Sequence, residues 1–186
     1  MEVKGYKAFN KDKTNRCNEL FDVGVKYRVT GDIRFGGVNT KVANGYHMCT
    51  RLADVFRYVD AMNGNFIVAE VTGRGNYQKY DDEYYGYFDM YAFEEIEINR
   101  FIDRKEVMEI LFSTSGEFDV SKLVRTCRLT PEELLVLINK FKSCYSLLKL
   151  ILYYQLGQTD IYRSTASMNV YDLCLRKVKS YGQNNS

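Results

Sequence analysis

The chain has 186 residues and a formal net charge of +2, and its composition is 46% hydrophobic and 27% charged. This balance is typical of a folded globular protein and excludes a disordered chain. So small a charge does not indicate a general nucleic-acid binder, which normally carries a strong basic excess. Sixteen tyrosines and eleven phenylalanines occur without tryptophan. Tyrosine suits binding surfaces and half-buried sheets, although an A·T-rich genome also produces such a composition.

Five cysteines are scattered along the chain without a Cys-x-x-Cys pair, and the sequence holds one histidine. This pattern predicts reduced thiols and no metal site. The first residues lack the apolar core of a signal peptide, and the longest apolar stretch, LLKLILYY, is too short to span a bilayer. We therefore expect a cytoplasmic protein with no membrane partner and no cofactor.

Over the first hundred residues, apolar side chains alternate with polar ones between Gly and Asn breaks, which predicts a mainly antiparallel sheet. One segment, TRLADVFRYVDAM, has helical spacing instead, so we predict a helix with Thr50 as its N-cap and Asn63-Gly64 as its end. Residues 1–102 are thus predicted to form an α+β domain. Its strands are expected at VKGYKAF, VKYRVTGDIRF with a break at Gly31, YHMC, NFIVAEVTG and FDMYAFEEIEINRFI.

The pattern changes to helical spacing in residues 103–186, which we predict to be all helical. Helices are expected at DRKEVMEILFST, FDVSKLVRTCR and NVYDLCLRKVK, and a long one is expected at LTPEELLVLINKFKSCYSLLKLILYY. Thr130 is the predicted N-cap of the long helix, Pro131 its first residue and Gly157 its end. The apolar stripe of this helix predicts packing inside the chain, or alternatively a homodimer. The helical section forms either a second domain or one unit with the first.

His47 lies in the YHMC strand and faces away from Tyr46 and Met48. The sequence offers no second histidine to complete a metal site, so the simplest interpretation is a neutral histidine hydrogen-bonded within the sheet. The functional alternative is that Tyr6, Tyr46 and His47 bind a ligand.

Two glutamates of the EEIEIN strand, Glu95 and Glu97, suggest an enzymatic alternative. The order of KGYKAFN, GYHMCTRLADVFRY and EEIEIN resembles that of the ADP-ribosyltransferases. The resemblance implies that NAD binds, that Glu97 orients the ribose and stabilises the oxocarbenium-like transition state, and that Glu95 activates the nucleophile. The first segment lacks the His or Arg of those enzymes, however. Alternating Glu and Ile is also typical of any strand with one face in solvent.

A third interpretation is nucleic-acid binding through basic side chains of the helical section. These side chains are spread along predicted helices and do not form one block, so a solvated helical surface explains them equally well. The candidate residues are Lys122, Arg125, Arg128, Lys140 and Lys142.

The motifs of the first section together resemble an uncharacterised small domain family of bacteriophages and prophage-bearing bacteria. They are KGYKAFN, FDVGVKYRVTGDI, GYHMCTRLADVFRYV, IVAEVTGRG and EEIEINRFI, and the resemblance covers about residues 3–102. MCT stands where that family has an aromatic-cysteine pair, and the approach to the last strand is longer. The resemblance implies a phage-related role in the cytoplasm of a bacterial host.

Our leading hypothesis from the sequence is therefore a non-enzymatic interaction protein of phage or prophage type. It would bind and modulate a host protein, for example a defence target of the anti-CRISPR kind. The abundance of tyrosine and the lack of a catalytic motif in the sequence favour binding over catalysis.

Overall fold

The amino-terminal part of the chain forms the predicted antiparallel sheet. Our computed structural model describes residues 1–15, 17–34, 44–56, 66–80, 89–158 and 169–183. The fold is α+β, with a sheet and one short helix followed by helices, as the sequence predicted. The strands are β1 (Glu2–Asn10), β2 (Lys26–Arg28), β3 (Tyr46–Cys49), β4 (Phe66–Lys79) and β5 (Met90–Ile102).

The described residues divide into two compact units, one up to residue 107 and one from residue 108 onward. The first contains the sheet, and the second contains most of the helical residues. The domain boundary between residues 102 and 103 that the sequence suggests stays a prediction.

The strands of the first unit pair in a closed circuit. Strand β4 pairs antiparallel with β1 on one edge and with β5 on the other. The free edge of β5 pairs with β3 and, further along, with β2. Strand β3 closes the circuit, because its Cys49 pairs with Tyr6 of β1. Four strands therefore have partners on both edges over part of their length, which removes open edges that favour aggregation.

One face of this sheet carries the core of the first unit. The register places Tyr46 directly opposite Phe93, and Val71 opposite Ile98, so their side chains lie on the same face. We call this face the core face and the other the second face. The core cluster consists of Phe9, Phe21, Tyr46, Met48, Ala69, Val71, Phe93, Ile96 and Ile98.

The helix predicted from residue 50 differs from the structure at its start. Helix α1 spans Leu52–Val55, and its N-cap is Arg51, not Thr50. The reason is that Thr50 still belongs to the sheet region, where its backbone N–H donates to the carbonyl of Asp89 at 2.9 Å. The rest of the predicted helix, residues 57–62, lies outside the described residues.

Two predicted strands have different lengths in the structure. Strand β2 is limited to three residues, and Gly31 with φ of 94° follows it, consistent with the predicted break. Strand β4 continues six residues beyond Gly73, because a bulge absorbs the irregular GRGNY segment. Gly75 adopts φ of 83° there, and pairing resumes at Tyr77 opposite Phe93.

The helices after the sheet are α2 (Arg104–Thr114), α3 (Glu117–Thr126), α4 (Pro131–Lys140), α5 (Tyr145–Leu150), a π-helical turn (Ile151–Gln155) and α6 (Val170–Gln183). Four of them, α2, α3, α4 and α6, begin within one residue of a predicted start. The predicted cap of α4 is confirmed: Thr130 Oγ1 accepts from the Glu133 N–H at 3.2 Å, and the Glu133 carboxylate accepts from the Thr130 N–H at 2.8 Å. This reciprocal pair is a capping box.

The prediction of one long helix over residues 129–154 is wrong. Helix α4 ends at Lys140, and α5 begins at Tyr145 after a turn in which the Cys144 N–H donates to the carbonyl of Phe141 at 2.8 Å. The break lets two short helices bury their apolar sides separately. The long helix that the predicted homodimer would use is therefore not formed. Most of the predicted apolar stripe is buried inside the chain, where Leu134, Ile138, Leu148 and Leu152 are at most 2% exposed.

Gly73 lies where only a glycine fits. A Cβ added to it would lie 2.2 Å from Cδ2 of Phe93, a fully buried ring. We predict that Gly73→Ala lowers the free energy of unfolding by about 1–3 kcal/mol through overpacking. Chemical denaturation monitored by circular dichroism measures this.

Two comparisons test the cause. Gly116→Ala, at a position where an added Cβ meets no atom within 4 Å, is expected to cost at most about 1 kcal/mol. In a Phe93→Leu background, Gly73→Ala should cost less than in the wild type, since the clashing ring is gone. Equal costs in both backgrounds would show that the close approach to Phe93 is not the reason for the glycine.

Candidate functional site

The sheet does not bring the predicted catalytic and ligand residues into one cluster. Tyr6 lies opposite Cys49, His47 opposite Ala92, and Glu97 opposite Thr72. All three side chains lie on the second face, because core residues flank His47 and Glu97 along their strands and Tyr6 lies opposite Cys49, the neighbour of Met48. The alternation of β5 changes phase between Phe93 and Ile96, which both belong to the core cluster. Ala92 and Glu97 are five residues apart on β5, which corresponds to about 16 Å along an extended strand. His47 and Glu97 are therefore too far apart to act on one bond.

Glu97 takes part in an ion-pair cluster of the second face. Its carboxylate accepts a hydrogen bond from Nη1 of Arg74, and the same guanidinium donates through Nε to Glu2 at 2.9 Å. Glu95 is 4.0 Å from Arg74 Nη1. The hydrogen bonds that Arg74 donates to Glu2 and Glu97 raise the pKa of Arg74. The guanidinium of Arg74 thus lies between three carboxylates of β1 and β5 and pairs with each of them, which fits a structural role.

A second ion pair extends this cluster towards the β4 bulge. Arg28 donates to the carboxylate of Glu94, and the other oxygen of Glu94 accepts from the backbone N–H of Asn76 at 3.1 Å. The backbone hydrogen bond and Arg28 lower the pKa of Glu94. The charged residues here satisfy one another and the bulge backbone.

His47 is a half-buried, neutral side chain at ordinary pH. Burial, and to a smaller extent the nearby Lys7 ammonium, lower the pKa of His47 to about 4. Lys7 also donates to the backbone carbonyl of His47 at 2.8 Å. The prediction that His47 faces away from Tyr46 and Met48 agrees with burial, since both neighbours lie in the core cluster.

Tyr46 packs in the core and is not positioned to bind a ligand. Its side chain is 8% exposed, and its ring packs edge-on against Phe21 with centroids 6.0 Å apart. Burial, together with the nearby Glu19 carboxylate, raises the pKa of Tyr46 to about 12. The phenol O–H donates to Glu19 at 3.4 Å.

A cavity lies in the helical unit, where α3 ends near the π-helical turn. It has a volume of about 540 Å³, within the usual range for ligand sites. Two of the predicted basic residues, Arg125 and Arg128, line it. The other lining residues are Thr126, Cys127, Tyr154, Gln155, Leu156 and Gly157.

One side chain holds the two walls of this cavity together. The Gln155 amide donates to the carbonyls of Val124 at 2.5 Å and Cys127 at 2.7 Å. Its oxygen accepts from the N–H of Leu129 at 3.0 Å. Helix ends leave carbonyls without helical partners, and here Gln155 satisfies them. Its neighbour Tyr154 is thereby fixed beside α3.

Arg125 lies over the ring of Tyr154, with its guanidinium carbon 5.6 Å from the ring centroid. This distance is within the range of a cation–π interaction, which orients the guanidinium. Tyr154 is 46% exposed and Tyr153 beside it 39%, and their rings meet edge-on at 4.8 Å. The cavity therefore combines exposed aromatic surface with two positive groups.

The remaining basic candidates lie elsewhere. Lys142 lines a second cavity of about 220 Å³ with Tyr145 and Tyr171, and Lys140 lies 5.3 Å from the ring centroid of Phe141. Lys122 is on α3 and does not line either cavity. Charge on a predicted helix was enough to predict Arg125 and Arg128 as candidates. Tyr154 and Gln155 were not predicted, because the YYQ run before Gly157 is only a weak signal in the sequence.

The described residues contain no group of three or more His, Cys, Asp or Glu side chains arranged to hold a metal ion. Their helices include none with the length and apolarity needed to cross a bilayer.

The fold and cavity define an α+β protein with a closed antiparallel sheet and a helical unit that carries a cavity lined by two arginines. A family model described as a domain of unknown function (DUF7666) matches residues 3–110, and the chain belongs to this family. The resemblance inferred over residues 3–102 is confirmed at the level of an uncharacterised small domain. The matched region ends at residue 110, within α2. No curated protein and no solved structure matches the chain.

The lowered pKa of His47 predicts a pH dependence of stability. The unfolded chain binds this proton near pH 6.5, whereas the folded chain binds it only near pH 4. The contribution to stability is therefore complete above pH 6.5 and falls, by at most about 3 kcal/mol, as the pH drops to 4.

Since His47 is the only histidine, its Cε1–H signal can be titrated by NMR without assignment. A midpoint near 6.5 would refute the prediction. His47→Gln should remove this part of the pH dependence.

If Glu97 has a structural role, its energy is coupled to that of Arg74. We predict a coupling of about 0.5–1 kcal/mol in a cycle of Arg74→Gln, Glu97→Gln and the double variant, measured by urea denaturation. The same cycle with Lys26→Gln in place of Arg74→Gln serves as control, since Lys26 lies opposite Glu97 on the other edge of β5. A coupling with Arg74 no larger than with Lys26 would contradict the structural role.

Proposed function

We propose that this chain is a non-enzymatic interaction protein of phage or prophage type that binds and modulates a host protein. The observation that carries the proposal is the helical cavity, which is lined by Arg125, Arg128 and the exposed ring of Tyr154, against which the exposed ring of Tyr153 packs. Tyrosine and arginine are the residue types that contribute most to protein–protein binding energy. The phage setting follows from the sequence resemblance of residues 3–102.

The arrangement of the sheet supports binding over catalysis. The carboxylate of Glu97 is bound by Arg74. His47 is on β3 and pairs with Ala92, which lies about 16 Å from Glu97 along β5. A transferase needs its glutamate beside the bound ribose, with NAD held in a cleft. The two described cavities lie in the helical unit and contain neither glutamate. The ion pair of Glu97 with Arg74 therefore explains why a glutamate occurs at this position of the EEIEIN strand, and NAD binding is not needed to explain it.

Capture from a bacterial lysate, with captured proteins identified by mass spectrometry, tests the proposal. Wild type is expected to retain one protein near equimolar yield. The double variant Tyr153→Ala/Tyr154→Ala should retain about tenfold less, as for the loss of an interface hot spot. Tyr145→Ala is the matched control, because Tyr145 is also exposed (44%) but lies at the other cavity. Failure to enrich any protein, or equal recovery with all three forms, would overturn the proposal.

The transferase alternative has its own test by thermal melting. We expect millimolar NAD to leave the melting temperature of the wild type unchanged. A rise with NAD that is lost in Glu97→Gln would favour the transferase and contradict a purely binding function.

A further inference from the structure

We propose that the cavity lined by Arg125, Arg128 and Tyr154 binds an acidic peptide segment of the partner protein, through carboxylates that pair with the two guanidinium groups. This rests on the proposed function and names the chemistry of the partner. The sequence offered Arg125 and Arg128 as candidates for nucleic-acid binding, and the geometry points to a different ligand.

The charge of the cavity favours an anion. Of the described residues that line it, two are arginines, and none is an aspartate or glutamate. Both arginines have exposed side chains at the rim. Arginine presents a planar fork of N–H donors that matches a carboxylate, so two arginines at one cavity can hold neighbouring acidic side chains.

The walls of the cavity are ordered before a ligand binds. Tyr154 positions the Arg125 guanidinium, and Gln155 ties the π-helical turn to the end of α3 by three hydrogen bonds. Beyond the turn, the Gln158 N–H donates to the carbonyl of Leu152 at 2.9 Å, and Gly157 adopts the positive φ that this ending requires. A site that is already ordered loses less entropy on binding.

The distribution of the other basic residues favours a peptide over a nucleic acid. A nucleic-acid backbone needs a row of cations that follows successive phosphates. Here Lys142 lies at the second cavity, and Lys140 lies over Phe141. Two arginines at one cavity with the exposed ring of Tyr154 fit a short acidic segment of a protein.

The test uses the full chain and a hexaglutamate peptide blocked at both ends, titrated by isothermal calorimetry. We expect binding that weakens with added salt. Arg125→Gln and Arg128→Gln should each reduce affinity about tenfold, as expected for the loss of a charge-assisted hydrogen bond. Arg176→Gln, an exposed arginine on α6, removes the same charge from the same unit and should leave affinity unchanged. In NMR spectra, the Nε–H signals of Arg125 and Arg128 should shift.

Tyr154 is a positioning residue in this proposal, and conservative rescue tests it. Tyr154→Leu should weaken peptide binding because Arg125 loses its aromatic support, whereas Tyr154→Phe keeps the ring and should bind as wild type does. Equal loss with both variants would contradict the positioning role. Circular dichroism confirms that each variant is folded before its affinity is measured.

Several outcomes overturn the proposal. These are no binding of hexaglutamate, equal weakening by Arg176→Gln, or equal binding of a hexalysine peptide. Tighter binding of a single-stranded oligothymidylate, lost in the same arginine variants, would assign the cavity to nucleic acid. Inorganic phosphate bound as tightly as the peptide would assign it to a free anion. If lysate capture still depends on Tyr153 and Tyr154 while hexaglutamate fails, the acidic-peptide inference fails and the proposed function stands.

Discussion

Pairing of β5 along both of its edges is the constraint on which the first unit depends. One edge carries β4 over most of its length, and the other carries β3 and then β2. Because β1 joins β3 to β4, the circuit can close only where backbones approach closely. Gly5 provides one such place, since a Cβ there would lie 2.3 Å from the carbonyl oxygen of Cys49. Gly73 provides the other, against the ring of Phe93.

The pairing also brings the candidate catalytic glutamates into ion pairs. Strand β4 pairs with both β1 and β5, so acidic side chains of those two strands lie on the same face, and like charges so close are unfavourable unless a cation lies between them. Arg74 on β4 supplies that cation for Glu2, Glu95 and Glu97. A similar arrangement recurs further along, where Arg100 bridges Glu70 and Glu106. The alternating glutamates of β5 thus form ion pairs with arginines on neighbouring strands.

The sequence predicted the elements better than their ends and their partners. The positions of β1, β3 and β5 follow from alternation, which is a property of each strand alone. The break after Lys140 did not show, because the apolar stripe from Leu134 to Leu152 keeps helical spacing across it. That spacing indicates which side chains are buried. It does not reveal a short turn after which the apolar side chains continue on the same side. The bulge at Gly75 was missed because it depends on the register with β5.

The candidate site was predictable only in part, for a related reason. Arg125 and Arg128 are visible as charges on a predicted helix, but Tyr154 and Gln155 come from a distant segment. What brings them together is a requirement of helix α3 itself: its last carbonyls lie at Val124 and Cys127 and need donors. The π-helical turn supplies Gln155 for this purpose. The neighbouring Tyr154 then necessarily lies beside Arg125, so the interaction that completes α3 also builds the wall of the cavity.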